Sequence, residues 1–241
     1  MKLDKHKVAN QVFDSEKMLL SETSSFVVQE AFKTLRTNVL FSLPGKGCKY
    51  IGVTSANRSE GKSVISTNLA IAFAQLGKRV ILIDCDLRLP TIASKIGISN
   101  RPGLSDYLTG NEDMEGSLIQ RLDKYGIDVM ASGNIPPEPT TLLSSEQMKE
   151  MLKMLEGYYD YVILDFPPVY LVTDAVLLAD KVDGYLVVVR QESSEYSKIN
   201  ETIRQMEFAN GKIIGFVYNG SQQEGKIGKG NKYYKYYKYY K

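Results

Sequence analysis

The sequence predicts an α/β protein built on a doubly wound, mainly parallel sheet. Three observations carry this: apolar runs rich in β-branched residues recur along the chain, stretches of helical periodicity separate them, and glycine-bearing or acidic turns follow several of the runs. The runs are YIGVTSA at 50–56, RVILIDCD at 79–86, IDVMASG at 127–133, YVILDFPP at 161–168, GYLVVVRQ at 184–191 and IIGFVYN at 213–219. Several are continuously apolar rather than alternating, as expected for strands covered on both faces. Helical patterns span 62–76, 144–155, 174–179 and 195–209, the last with Ile199, Ile203, Met206 and Ala209 at helical spacing. Strand–helix alternation of this kind places ligands beyond the carboxyl ends of the strands.

Ahead of the first strand, residues 26–43 read as an amphipathic helix, with Val28, Phe32, Leu35 and Val39 on one side and Glu30, Lys33 and Arg36 on another. Beyond Asn219 the chain becomes GSQQEGKIGKGNKYYKYYKYYK, a polar, glycine-bearing segment with a Lys-Tyr-Tyr repeat. It cannot bury a core and is expected to be flexible. The resulting division is a leader (1–25), a helix (26–45), one catalytic-sized domain (46–220) and a tail (221–241); a length of 241 residues fits one domain with appendages.

Bulk properties exclude several classes. No stretch approaches the roughly 18 apolar residues of a membrane span, and the charged start MKLDKHKVANQVFDSEK lacks a signal-peptide core. These features predict a cytoplasmic chain. His6 is the one histidine, and Cys48 and Cys85 form no metal-binding spacing, so histidine triads and zinc sites are excluded and any metal must be held by oxygen. The net charge of +2 is uneven. Six lysines lie in 226–241 with no acid among them, which leaves the first 225 residues at −4.

The first predicted strand runs into Ser55-Ala56-Asn57-Arg58-Ser59-Glu60-Gly61-Lys62-Ser63 and then a helix. A phosphate-cradling loop needs inward-pointing amides, a helix N-terminus, a lysine for the β/γ-phosphates and a hydroxyl for Mg²⁺. Ser59, Glu60, Gly61, Lys62, Ser63 and Val64 are therefore the expected nucleotide contacts, although Ala56 stands where the usual pattern opens with glycine. Two further strand ends carry acids: Asp84-Cys85-Asp86-Leu87-Arg88, and Asp165 before Pro167-Pro168. An ordinary acidic turn is the alternative for the first, but three acid positions and one phosphate loop converge on the same sheet edge. That arrangement suits metal organisation and proton acceptance. No Asn-Lys-x-Asp follows a strand, which favours adenine over guanine. Asn219 is either an amide reading the base edge or a turn former before Gly220.

These residues, together with Ser132-Gly133-Asn134-Ile135-Pro136-Pro137-Glu138-Pro139 and the tyrosine cluster, resemble the bacterial tyrosine kinases of capsule and exopolysaccharide synthesis from about Glu30 to the C-terminus. The resemblance implies ATP and Mg²⁺ as cofactors, Lys62 on the transferring phosphates, Ser63, Asp86 and Asp165 around the metal, and Asp84 as base, with Arg88 part of the catalytic segment. It implies Tyr233, Tyr234, Tyr236, Tyr237, Tyr239 and Tyr240 as sites of autophosphorylation. It also implies an oligomer, in ring form, through Glu30-x-x-Lys33-x-x-Arg36, where the family more often has Arg at the position of Lys33. A solvated helix face is the alternative for that triplet. Partners implied are the cytoplasmic tail of a membrane adaptor, which would hold the chain peripherally at the inner membrane face, protein tyrosine substrates and a cognate tyrosine phosphatase. Phe166 stands where the family more often has threonine. No nucleic acid is expected, although interleaved lysine and tyrosine also suit single strands or an anionic membrane. The rival for the whole chain is a spatial-organising ATPase of the partition type, whose signature lysine would fall at Asn57.

Overall fold

In a computed structural model, residues 18–110 and 116–220 are described. Along them run α1 (Phe26–Ser42), β1 (Lys49–Ser55), α2 (Lys62–Ala74), β2 (Val80–Asp84), α3 (Ile92–Ile96), α4 (Leu104–Leu108), β3 (Gln120–Leu122), β4 (Ile127–Met130), α5 (Pro139–Leu143), α6 (Glu146–Leu155), β5 (Tyr161–Asp165), β6 (Gly184–Arg190), α7 (Tyr196–Phe208) and β7 (Ile213–Asn219). The seven strands lie in the order β3-β4-β2-β5-β1-β6-β7. Every neighbouring pair is parallel except β3 with β4.

The central strands are apolar throughout because both faces are covered. Successive side chains alternate between faces, so Ile81 and Ile83 join one core with Met148, Met151 and Leu152 of α6, while Val80 and Leu82 join the other with Leu69 and Phe73 of α2. Helix α2 lies in this second core and is buried almost all round, which is why its sequence, KSVISTNLAIAFA, lacks a polar face. Its N-terminus is thereby fixed against the carboxyl edge of the sheet. Helix α1 begins after Ser25, whose hydroxyl accepts from the Val28 amide, and packs Val39 and Leu43 onto the same core.

Gly52 in β1 is required by close approach. A Cβ there would stand 2.4 Å from the Tyr185 ring. Tyr185 is fully buried and donates its hydroxyl to the Ala175 carbonyl at 2.7 Å, so the ring cannot retreat freely. Gly52→Ala is expected to cost about 1–3 kcal/mol, read as a lowered denaturation midpoint. Phe166 is also fully buried, its centroid 5.9 Å from that of Tyr185, so the departure from threonine is absorbed by the core.

The structure differs from expectation in its short elements. Strand β3 has only the polar-edged Gln-Arg-Leu and no apolar run; it is held to β4 in part by an Arg121–Asp128 ion pair of 3.0 Å. Helices α3, α4 and α5 have five residues each, too few to display a period. Where a helix was expected over 174–179 there is a single 3₁₀ turn, Val176–Leu178.

Candidate active site

The loop between β1 and α2 is held from outside by its carbonyls. Arg190 Nη1 donates to the Ser59 carbonyl at 2.7 Å, Asn219 Nδ2 donates to the Glu60 carbonyl at 2.8 Å, and Ser55 Oγ donates to the Asn57 carbonyl at 2.6 Å. The buried Glu60 carboxylate accepts from the Asn57 amide at 3.2 Å and from the Ser194 hydroxyl. Ser59 and Gly61 have φ of 62° and 98°, the left-handed bends that close the loop. Among the described residues, the amides of 58–63 donate to no acceptor in the chain. Six free donors at the start of a buried helix form an anion cradle.

Three acids lie at the carboxyl ends of β2 and β5, the sheet edge that carries this loop. Asp84 and Asp165 are direct neighbours in the β2–β5 register. Asp165 is 1% exposed and neither of its carboxylate oxygens closes a hydrogen bond of ordinary length and angle, although the Ser63 hydroxyl lies near enough to favour the charged form. Burial raises its pKa, opposed chiefly by the positive charge of Lys62. Burial also raises Asp84 well above the ordinary carboxylate range, with the charge of Asp165 adding to it. Asp86 is raised by burial and held back by the amide of Leu89, which donates to it at 3.0 Å. An unpartnered buried carboxylate is costly, and oxygen is the donor Mg²⁺ requires. Asp165 therefore fits a magnesium ion, with the Ser63 hydroxyl as the second protein donor. Among the described residues no group of three or more acidic, histidine or cysteine side chains encloses a metal. Magnesium in nucleotide sites is typically held by few protein groups, with phosphate and water supplying the rest.

A cavity of about 370 Å³ opens at this edge, lined by Lys62, Ser63, Asp86, Arg88, Thr91 and Lys95, with Arg58 and Ser59 on the loop side. Leu89, Pro167, Pro168, Leu171 and Val172 form an apolar rim. A wider groove of about 1320 Å³ meets the other side of the loop at Gly61, Val64 and Asn219, walled by Met18, residues 20–25 and Phe32 of α1.

The structure brings Lys62, Ser63 and Asp86 to one cavity with Asp165 beside Lys62 and Ser63, and it gives four other expected site residues partners that the sequence did not announce. Asp84 does not line the cavity; its oxygens accept the amides of Asp86 and Ile92, both at 3.2 Å, so as placed it shapes the segment while Asp86 meets the cavity. Arg88 gives its fork to the fully buried Asp174, Nε–Oδ2 2.9 Å and Nη2–Oδ1 3.0 Å, and so braces the segment as well as lining the cavity. The Val64 amide is spent on the Gly61 carbonyl at 3.1 Å, leaving only its side chain for the groove. Asn219 spends its amide nitrogen on the loop, leaving its carbonyl oxygen for a base. The sequence reading missed Thr91, Lys95, Asp174, Arg190 and Ser194. Thr91 and Lys95, three and seven positions after Arg88, carried the only usable signal: polar residues following an acidic strand end.

On α1, Lys33 pairs with Glu30 at 2.7 Å, and Arg36 Nη1 donates to the Ala72 carbonyl near the end of α2 at 2.8 Å. The triplet expected to face a neighbouring subunit is thus at least partly committed within the chain. The six tail tyrosines lie outside the described residues. No helix among the described residues is long and apolar enough to cross a membrane.

The parallel sheet, the amide cradle and the Gly-Lys-Ser helix start define a P-loop nucleotide-binding protein. A family model described as ParA, NUBPL iron-transfer P-loop NTPase, matches residues 48–237, and the chain belongs to that P-loop family. The iron-transfer wording is the model's; here Cys48 precedes β1 and Cys85 follows β2, at opposite ends of the strands. Within the P-loop proteins the relatives are specific. The chain is 37% identical over 193 residues to the tyrosine-protein kinase YwqD of Bacillus subtilis, covering 80% of this chain and 81% of that one. It is 35% identical over 192 residues to the tyrosine-protein kinase CpsD of Streptococcus agalactiae serotype III, covering 79% and 82%. The kinase domain of the Escherichia coli tyrosine kinase ETK superposes with a TM-score of 0.75 at 33% identity, over 80% of this chain and 75% of that one. The chain belongs to the bacterial tyrosine-protein kinases, and the spatial-organising ATPase reading gives way to that membership.

Proposed function

We propose that the protein transfers the γ-phosphoryl group of Mg-ATP to tyrosine hydroxyls, first those of its own tail, and thereby regulates capsule or exopolysaccharide synthesis. The observation that carries the reading is the single cavity wall that holds Lys62, Ser63 and Asp86 below an apolar rim. The amides of 58–63 and Lys62 would cradle the phosphates. Asp165 and Ser63 would hold magnesium, which neutralises phosphate charge and fixes its geometry. The groove beside Asn219 is the expected seat of the base.

Leu89, Leu171 and the two prolines, which line the cavity, would offer apolar contacts to an aromatic ring that a serine side chain could not use. The phenol, pKa about 10, enters protonated. As its oxygen forms the new P–O bond and the bond to the β-phosphate oxygen breaks, the proton passes to a carboxylate and ADP departs. Asp86 is the carboxylate that lines the cavity; Asp84, the expected base, gives its oxygens to the amides of Asp86 and Ile92. Asp86→Asn is expected to lower kcat about 100-fold or more with little change in the KM for ATP, measured by phosphotyrosine formation.

The lysine-spaced tail suits a body of opposite charge, and each phosphate would add about −1.5 to −2. Several phosphates would reverse the tail's charge and release it, favouring disassembly of an oligomer built on α1. An adaptor's cytoplasmic segment, peripheral membrane placement and a tyrosine phosphatase belong to the same proposal.

Deleting residues 221–241 tests it. Self-phosphorylation should vanish while Mg-ATP binding and phosphorylation of an added Lys-Tyr-Tyr peptide persist. Unchanged phosphotyrosine on the truncated chain would move the acceptor elsewhere, and loss of nucleic-acid or vesicle binding alone would assign the tail to recognition.

A further inference from the structure

We propose that Lys95 and Thr91 are positioning residues for the nucleotide's magnesium, with Lys95 acting through Thr91 to set the direction in which the Ser63 hydroxyl points its proton. The inference rests on the Mg-ATP site proposed above.

Thr91 is the N-cap residue of α3, where a threonine hydroxyl ordinarily accepts from the helix's own first amides. It makes no such bond here. The Asp84 carboxylate takes the adjoining Ile92 amide at 3.2 Å, and the Thr91 hydroxyl is turned away from the helix to another task. Thr91 Oγ1 donates to Ser63 Oγ at 2.9 Å, and Lys95 Nζ donates to Thr91 Oγ1 at 2.9 Å. One turn of α3 separates residues 91 and 95, so the helix itself aligns the pair.

The chemistry of the donors fixes the order. An ammonium has only donors, so Thr91 must accept from Lys95. With the ammonium on one side, the single Thr91 proton is directed to Ser63. Ser63 then keeps its own proton for a different acceptor and one lone pair for a metal. The acceptor at hand is Asp165, a buried carboxylate that closes no ordinary hydrogen bond but whose charged form the nearby Ser63 hydroxyl already favours. Were Lys95 absent, Thr91 could accept from Ser63 as readily as donate to it, and the Ser63 proton would be drawn away from the carboxylate. Burial lowers the pKa of Lys95, while Asp165 nearby favours the charged form.

The test uses the full chain and the variants Thr91→Val, Thr91→Ser and Lys95→Met, with ADP binding measured by calorimetry in Mg²⁺ and in chelator. Thr91→Val and Lys95→Met should weaken Mg-ADP binding about tenfold or more, while binding in chelator changes less than about twofold and Thr91→Ser stays near wild type. Equal weakening with and without Mg²⁺ would reduce the pair to pocket walls, and unchanged Mg-ADP binding would overturn the proposal. The kinase reading fails separately: wild type making no phosphotyrosine while the Mg²⁺-specific loss appears would leave the positioning role standing.

Discussion

Lys62→Met is expected to abolish tyrosine phosphorylation, lowering the rate at least about a hundredfold, while leaving the fold intact. Lys62 is 8% exposed at the N-terminus of α2, and its charge opposes the raised pKa of both Asp86 and Asp165. Methionine matches its stem in length and apolar character, so packing around Ile65 and Leu69 should survive. What is lost is the cation whose charge most opposes the raised pKa of Asp165. Two consequences follow together. Phosphate charge developing in transfer would go unbalanced, and the carboxylates would lose a charge that favours their ionised form. The check is phosphotyrosine yield beside circular dichroism and a thermal midpoint, with the midpoint expected to move by a few degrees at most.

Asp165→Asn is expected to show opposite effects on stability and on nucleotide. The free protein carries a buried carboxylate with two unpartnered oxygens, so removing its charge should stabilise the apo fold by about 1–3 kcal/mol. Mg-ADP binding should weaken about tenfold or more, and phosphotyrosine formation should fall below detection, because the metal loses its charged protein ligand. The pH dependence follows in sign. Asp165 and Asp84 both have folded pKa values above their unfolded ones, so between the unfolded value near ~4 and the raised folded value the folded chain binds more protons. Their contribution therefore gains as pH falls through that window and is lost as pH rises. Chemical denaturation of wild type against Asp165→Asn over this range, without Mg²⁺, should show the stability gap narrowing as pH drops.

The parallel sheet and its ligand edge were legible in the sequence because strands buried on both faces must be apolar throughout, and only VILID, YVILD and GYLVVV-type runs meet that demand. The acids at this edge were legible for a related reason: a carboxylate ending such a run, as Asp84 and Asp165 do, has nowhere to lie but the strand's carboxyl edge, and Lys62 and Ser63 were announced by the loop that joins the first strand to a helix. What the sequence hid was set by pairing at a distance. Arg88 could be read as catalytic because nothing in its neighbourhood announces Asp174, 86 residues on, as the partner that occupies its fork. Asp84 could be read as a free base because backbone amides, which no side-chain pattern records, take both of its oxygens. Arg36 turned to the Ala72 carbonyl for the same reason. Thr91 and Lys95 were passed over because a five-residue helix leaves no periodic trace from which to align them on Ser63.

The most direct test of the account is mass spectrometry of the purified full chain after incubation with Mg-ATP, alone and with a candidate adaptor segment, beside Lys62→Met. The account predicts phosphate on tyrosines among Tyr233, Tyr234, Tyr236, Tyr237, Tyr239 and Tyr240, absent from the variant. Steady ATP hydrolysis by the wild type with no phosphotyrosine under either condition would contradict it.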